Sequence, residues 1–515
     1  MQFVHPTTRK RWTEFISWKG VIAEAFERYL QATSDSYKEH FEKMMTKGIC
    51  SVCQGGRLKS YPAAARLHGH NIQQLSTLPI EELKIFFDTL TLDSEKAFIA
   101  EEPLKEIHKR LSYLLDVGLG YLTLERDSPS LSGGEAQRVR LAALIGTGLV
   151  GVTYILDEPT IGLHPRDNSR LIDTLHSLKN LGNTVVVVEH DEEMIASADH
   201  IVDIGPEAGQ KGGHILFEGP PQKLKTAKNS LTADYILGRK KIFKGVEPRR
   251  TPKGFLKING CQEHNLKNLD VTIPLGCFVA VTGVSGSGKS SLISETLFPA
   301  LSNKLNRSEL DVGAHTSIEG IEHLDKVILI DQSPIGRIPR SNPATYIKLF
   351  DLIRDLYSEL PMSKTKGYLP GRFSFNVKEG CCSLCQGMGM IRVDMDFLEE
   401  QWTTCEECMG KRFDEETLAV RYKQKSISDV LEMTIDEAAT FFAELPAIAK
   451  RLSLLQKVGL GYMRLGQPST TISGGEAQRV KLARELVRPA TGKTLYILDE
   501  PTTGLDPVSR SRVWD

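Results

Sequence analysis

Short apolar runs recur along the chain, each stopped by a polar or glycine position. They are Val152-Thr-Tyr-Ile-Leu156 before Asp157, Val185-Val-Val-Val188 before Glu189, Phe278-Val-Ala-Val-Thr282 before Gly283, Val327-Ile-Leu-Ile330 before Asp331, and Leu495-Tyr-Ile-Leu498 before Asp499. Runs this short and this apolar, bounded by turn residues, predict strands. Between them, Ser291-Leu-Ile-Ser-Glu-Thr-Leu297 reads as a helix. Leu131-Ser-Gly-Gly-Glu135 and Ile472-Ser-Gly-Gly-Glu476 each open another. The fold class expected is α/β.

The pattern also repeats. Leu111-Ser-Tyr-Leu-Leu-Asp-Val-Gly-Leu-Gly-Tyr121 returns as Leu452-Ser-Leu-Leu-Gln-Lys-Val-Gly-Leu-Gly-Tyr462, an offset of 341 (452 − 111). Ser132-Gly-Gly-Glu-Ala-Gln-Arg-Val139 returns at Ser473 with the same offset, 341 (473 − 132). Tyr154-Ile-Leu-Asp-Glu-Pro-Thr160 returns at Tyr496, offset 342 (496 − 154). Three matches in register mean two copies of one module, with a period too long for a solenoid.

Composition changes this picture little: 40% hydrophobic, 25% charged, net charge −1 over 515 residues. That is an ordinary globular balance, long enough for about three domains. No apolar run approaches the ~18 residues that read as a membrane span. The N-terminus lacks the apolar core of a secretion signal, so a cytoplasmic location is expected. Six of the nine cysteines fall in three C-x-x-C pairs, which in such a protein points to metal before disulfides. Gly238 to Lys253 is a basic linker punctuated by proline and glycine.

The chemistry begins at Gly283-Val-Ser285-Gly286-Ser287-Gly288-Lys289-Ser290-Ser291. The spacing G-x-x-x-x-G-K-S after an apolar run and before a helix is a phosphate-binding loop. Its glycines let backbone N–H groups turn inward around phosphate, and the helix N-terminus adds its positive dipole end. Lys289 is expected to reach the β- and γ-phosphates, and the Ser290 hydroxyl to ligate Mg²⁺. A nucleoside triphosphate is the expected ligand.

Two other strands end in paired acids, Asp157-Glu158 and Asp499-Glu500. Ligands of open α/β sheets sit at the carboxyl ends of strands, so these acids are expected to face the nucleotide. The Asp is placed to hold Mg²⁺ through water and the Glu to polarise the attacking water. His190 ends a further strand, 33 residues after Asp157 (190 − 157). The same spacing in the second copy falls near ~532, past Asp515. Ser132, Gly133, Gly134 and Glu135, with Ser473, Gly474, Gly475 and Glu476, form two more anion-binding helix starts. Two such elements beside one phosphate-binding loop suggest a nucleotide sandwiched between halves.

Cys382-Ser-Leu-Cys385 and Cys405-Glu-Glu-Cys408 give C-x₂-C-x₁₉-C-x₂-C. This fits a closed tetrahedral Cys₄ zinc site, with Cys381 an adjacent spare. Cys50-Ser-Val-Cys53 aligns with Cys405–Cys408 at an offset of 355 (405 − 50) but has no first pair. His5, His40, His68 and His70 stand at no convincing ligand spacing, and whether this half-motif binds zinc stays open.

Taken together these residues resemble UvrA, the ATP-binding damage-recognition subunit of bacterial nucleotide excision repair. The resemblance rests on Val281–Ser291, on Ser333-Pro-Ile-Gly-Arg-Ile-Pro-Arg-Ser-Asn-Pro-Ala-Thr345 and on Gly371-Arg-Phe-Ser-Phe-Asn376. Both Ser-Gly-Gly-Glu-Ala-Gln-Arg elements, Glu189-His190-Asp191 and Asp203-Ile-Gly-Pro206 also carry it. It implies two incomplete ABC-type ATPase heads in tandem, each with a helical signature region, plus the Cys₄ module. It makes Gln332 a γ-phosphate sensor and His190 a switch. The Ser132 element would close over nucleotide on Lys289, with Asp499 and Glu500 completing that site. Asp157, Glu158, His190 and the Ser473 element would form a second site that lacks a phosphate-binding loop.

Domains follow from the resemblance. Residues 1–110 are a remnant of the first signature domain, and 111–237 the back of the first nucleotide-binding domain. The linker is 238–253. Residues 254–345 are the front of the second nucleotide-binding domain, 346–451 its signature domain with the zinc module, and 452–515 its signature and strand-end acids. The family further implies damaged double-stranded DNA, a homodimer and UvrB as partners, although the UvrB-docking part has no counterpart here. DNA-contacting residues are unassigned. Two other readings are a UvrA-like protein that protects DNA without UvrB, and an inactive fragment that only binds DNA or a partner.

Overall fold

A computed structural model of the chain describes residues 2–4, 11–13, 19–31, 41, 44–45, 48–206, 209, 212–227, 229–241, 250–336, 338–393, 401–488 and 491–502. His5, His40 and the middle of the basic linker lie outside the described residues. The chain forms two compact units, Met1–Leu78 and Pro79–Asp515. In the first, strands β1 (Gln2–Val4) and β2 (Arg11–Thr13) make an antiparallel pair. A helix spans Val21–Gln31, and a short one, Ile72–Ser76, is opened by a reciprocal Asn71–Gln74 capping box.

In the second unit, β3 (Thr153–Asp157) and β4 (Thr184–Val188) pair in parallel, joined through the helix Pro165–Asn180. The strands β5 (Ile201–Gly205) and β6 (His214–Gly219) form an antiparallel pair. A three-stranded sheet in the order β8-β7-β9 comprises β7 (Gly254–Cys261), β8 (Leu269–Leu275) and β9 (Ser317–Glu319). β10 (Lys326–Ile330) is followed by the hairpin of β11 (Met390–Val393) and β12 (Gln401–Thr404). β13 (Thr494–Leu498) then returns to lie parallel to β10. The crossover between β10 and β13 holds the whole helical signature region and the cysteines.

Two cores serve these layers. Leu256, Ile258, Leu297, Leu301, Val327 and Ile497 join the antiparallel sheet, the helix after the phosphate-binding loop and the β10–β13 pair. A larger helical core holds Phe350, Phe373, Phe375, Phe413, Phe442 and Leu452. Phe350 stacks on Phe375 at 4.9 Å between centroids, and Phe413 meets Phe375 edge-on at 6.0 Å.

Four of the five apolar runs are strands. The exception is Phe278–Thr282, which has no assigned strand. Phe278 is 73% and Val281 44% exposed. β-branched and aromatic side chains favour a strand through the neighbours they pack against, and among the described residues no ladder pairs with this run. The helix at Ser291–Leu297 is present but wound as a π-helix. The buried Thr296 hydroxyl donates to the Ser291 carbonyl, five residues back, at 2.6 Å. A side chain that takes a carbonyl from the i→i−4 ladder widens the turn at that point. The helix regains α geometry at Phe298–Leu305.

Phe375 is fully buried and central to the larger core. Phe375→Ala should cost about 3–5 kcal/mol, read as a lowered denaturant midpoint at unchanged slope.

Candidate nucleotide site and cysteine cluster

The phosphate-binding loop owes its path to glycine at three points. Gly283, Gly286 and Gly288 have φ of +155°, +74° and +98°. A Cβ at Gly288 would lie 2.8 Å from both Asn265 Oδ1 and Leu266 Cδ2. Asn265 also donates to the Gly286 carbonyl at 2.9 Å, tying the loop to the turn after β7. Lys289 Nζ donates to the carbonyls of Gly283 (2.8 Å) and Val284 (2.9 Å), bracing the loop's own backbone. Ser290 is exposed and Ser291 buried, and Ser287 donates its N–H to the Val284 carbonyl.

The parallel registers decide which strand ends meet. Ile330 pairs with Leu498, and two residues on, Gln332 Nε2 donates to the Glu500 carbonyl at 3.3 Å. Asp157 pairs with Val188, and just beyond, His190 Nε2 lies 3.6 Å from Glu158 Oε1. Glu158 and Glu500 both adopt φ of +45°, a conformation uncommon for a residue with a Cβ. Burial first, then the carboxylates of Glu500 and Asp331, push the Asp499 carboxyl above its ordinary range, while Lys289 pulls the other way. Such a cluster is short of positive charge, which suits a divalent cation beside Asp499. Asp331 is itself pushed up by burial but ends below the usual carboxylate range, because Lys481 and the Ser333 hydroxyl hydrogen-bond to it.

Each Ser-Gly-Gly-Glu element starts a helix, Gly133–Gly146 and Gly474–Leu486. Ser132 Oγ accepts from the Glu135 N–H and Glu135 Oε2 accepts from the Ser132 N–H; Ser473 and Glu476 repeat this. The capping boxes use two donors of each helix start, so the expected anion contact falls to the glycine N–H groups between them. Gly134 admits no side chain, since a Cβ there would collide with the Ile161 carbonyl. Gly474 packs beside Gln332, its Cβ position 3.4 Å from Gln332 Cβ. Both helices are anchored the same way. Gln137 Nε2 donates to the Asp157 carbonyl at 2.6 Å, and Gln478 Nε2 to the Asp499 carbonyl at 2.7 Å.

The copies meet at Tyr121. Its hydroxyl lies 2.7 Å from Glu135 Oε1, in the first signature helix, and 3.0 Å from Ser285 Oγ, in the second copy's phosphate-binding loop. This brings the Ser132 element and the Lys289 loop onto one face, the juxtaposition a sandwiched nucleotide requires. Among the described residues, no hydrogen bond or ion pair joins the Ser473 element to Asp157 or His190. Sequence reading missed Tyr121, Asn265, Asp331, Lys481, Gln137 and Gln478. The repeat did contain a signal for three of them, because Tyr121 and both glutamines keep their type across copies.

Cys382, Cys385, Cys405 and Cys408 are buried, with sulfurs all within 4.8 Å of one another. Cys382–Cys405 and Cys385–Cys408 are 3.8 and 3.6 Å apart. Four thiolates at Zn–S of ~2.3 Å span tetrahedral edges of about 3.8 Å, so the set fits Zn²⁺. The N–H groups of Gly389 and Arg412 donate to Cys385 and Cys408 sulfurs, the outer-shell bonds such sites use. Burial pushes the Cys382 and Cys408 thiols up, so ionising them calls for a cation. Cys381 stays outside the cluster, its thiol against the Lys378 carbonyl. Cys50 is exposed and Cys53 half-buried. Backbone N–H groups of Cys53 and Val52 hold the Cys50 thiol below its ordinary range, but among the described residues no third ligand joins this pair. Among the described residues, no helix is long and apolar enough to cross a membrane.

A phosphate-binding loop, strand-end acids and a signature helix from the opposite copy define ABC-type nucleotide-binding heads. The ABC transporter family model matches residues 382–503. UvrABC system protein A of Methanothermobacter thermautotrophicus is 51% identical over 98% of this chain and 52% of that protein. Its namesake from Thermus thermophilus is 52% identical over 95% of this chain and 52% of its own length. The crystal structure of UvrA2 from Deinococcus radiodurans superposes with a TM-score of 0.89 at 43% identity, over 95% of this chain and 61% of that one. Over almost its whole length the chain is similar to UvrABC system protein A, and it spans about half the length of the curated relatives it matches.

Metal analysis of the purified chain should find about one tightly held Zn²⁺, lost in Cys405→Ser and kept in Cys50→Ser. Chelation should lower the melting temperature of the chain, and a second equivalent removed by Cys50→Ser would overturn the distinction.

Proposed function

We propose that this chain is an ATP-hydrolysing, DNA-binding subunit of UvrABC-type nucleotide excision repair that recognises damaged DNA. The observation that carries it is the Tyr121 bridge, which sets the first copy's signature helix against the second copy's phosphate-binding loop. The relatives' shared name supports the repair context, and favours it over a purely protective or inert role.

In this reading ATP sits on Gly283–Ser291. Lys289 leaves the Gly283 and Val284 carbonyls for the β- and γ-phosphates, exchanging two neutral acceptors for charged ones. Ser290 and Asp499 hold Mg²⁺, which neutralises charge on the phosphoryl group in transfer. Glu500 accepts a hydrogen bond from the attacking water, and Gln332, on the adjacent strand end, registers the γ-phosphate. The N–H groups at Gly133 and Gly134 close the site from the other copy. Asp157, Glu158, His190 and the Ser473 element are assigned to a second site by the same logic. The Cys₄ set is assigned to structural zinc. Damaged duplex DNA, a second copy of the chain and UvrB are the proposed partners, in a cytoplasmic setting. The domain limits of the sequence analysis stand as part of the same proposal.

The test is steady-state ATP hydrolysis. Glu500→Gln should lower kcat about 10²- to 10⁴-fold, as for loss of a positioned base, with little change in nucleotide affinity. Lys289→Ala should weaken ATP binding as well. Three equal background rates would end the enzyme reading. For DNA, the binding constant should fall steeply with salt, by roughly 0.9 log units per log unit of salt for each phosphate neutralised.

A further inference from the structure

Tyr121 makes a contact that the roles above leave unexplained. Its ring lies directly on the phosphate-binding loop, where a Cβ added at Gly286 would come within 2.6 Å of Tyr121 Cδ2. Its hydroxyl has two partners, Glu135 Oε1 at 2.7 Å and Ser285 Oγ at 3.0 Å.

Proton bookkeeping fixes the direction of both bonds. Burial pushes the Glu135 carboxyl up, but the hydrogen bonds from Tyr121 and the Ser132 N–H, with Arg126 nearby, hold it below the usual range. Glu135 is therefore an ionised acceptor and offers no proton. The phenol stays protonated, since burial pushes its ionisation upward. Its single proton goes to Glu135. The Ser285 hydroxyl must then donate to Tyr121, which leaves Ser285 no proton to offer a phosphate oxygen.

The second copy shows that the tyrosine arm is built independently of the loop. Tyr462, at the equivalent position, donates to Glu476 Oε1 at the same 2.7 Å and lies 3.4 Å from an Arg479 nitrogen. Its hydroxyl meets no phosphate-binding loop among the described residues. The Tyr–Glu bond is thus common to both signature elements, and engagement of Ser285 is what the first copy adds. Lys289 is likewise turned onto loop carbonyls, so it and Ser285 are both engaged by protein groups.

We propose that Tyr121 is a positioning residue that latches the nucleotide-free site: it holds the Ser285 hydroxyl toward the first copy, and bound ATP must take that hydroxyl from it. The inference rests on the ATP-site assignment above. The γ-phosphate presents only acceptors, so Ser285 donates either to Tyr121 or to nucleotide. Removing the tyrosine hydroxyl loses the Glu135 bond whether or not ATP is bound but the Ser285 bond only in the empty state, and ATP should bind more tightly in consequence.

Equilibrium binding of a fluorescent ATP analogue with Mg²⁺ to the full chain tests this, using Tyr121→Phe, Ser285→Ala and the double variant. Tyr121→Phe keeps the ring on Gly286 and should tighten binding about two- to tenfold, the span expected for one lost neutral hydrogen bond. In the Ser285→Ala background the same substitution should change affinity less than about twofold, because the bond is already gone. A tightening that persists in that background would mean the ring or the Glu135 bond acts by another route, and the latch is wrong. Equal or weaker binding by Tyr121→Phe, beside a wild-type chain that binds and a Lys289→Ala chain that does not, sinks the latch alone. A wild-type chain that binds no nucleotide sinks the site assignment and the latch together.

Discussion

A parallel ladder leaves no choice about which ends of its strands come together, and the chemistry here depends on that constraint. Pairing Ile330 with Leu498 brings Gln332 to Glu500; pairing Asp157 with Val188 brings His190 to Glu158. Each pair of groups is far apart in sequence and fixed by a few backbone hydrogen bonds. A slip of one residue would turn every side chain of the strand to the opposite face. The buried Ile330 and Ile497 favour this register, so hydrophobic burial helps to position the site.

The polar contacts then refine the arrangement. Gln137 and Gln478 carry each signature helix to the strand that bears its own copy's acids. The helix start proposed to gather phosphate for the opposite copy is therefore hydrogen-bonded to the strand end that carries the carboxylate proposed to polarise water in its own. Arg412 provides a similar link from the cysteine cluster: its backbone N–H donates to Cys408, and its side chain reaches the Gly466 carbonyl at 3.0 Å, seven residues before Ser473.

Much of the site was legible because its chemistry demands particular residues at fixed spacing. Phosphate needs glycine at Gly283, Gly286 and Gly288, and a tetrahedral cation needs two cysteine pairs. Strand-end acids announce themselves after an apolar run. Asn265, Asp331 and Lys481 were not legible, because their roles arise where distant segments meet and no spacing encodes them. Tyr121 was visible as a repeated residue but not as a contact, since its loop partner lies 164 positions away. Phe278–Thr282 failed for a different reason: its sequence suits a strand, but a strand also needs a neighbour. The π-turn at Ser291–Leu297 follows from a hydroxyl at Thr296 that helix patterning treats as neutral.

The left-handed backbone at Glu158 and Glu500 has an evolutionary consequence. Holding a residue with a Cβ at that φ costs about 1–2 kcal/mol, and glycine would relieve it. Drift toward greater thermal stability would therefore find an easy gain at each of these acids, since either Glu codon is one base change from Gly. The presence of both glutamates in this chain marks two positions where the backbone is kept under tension in return for a carboxylate.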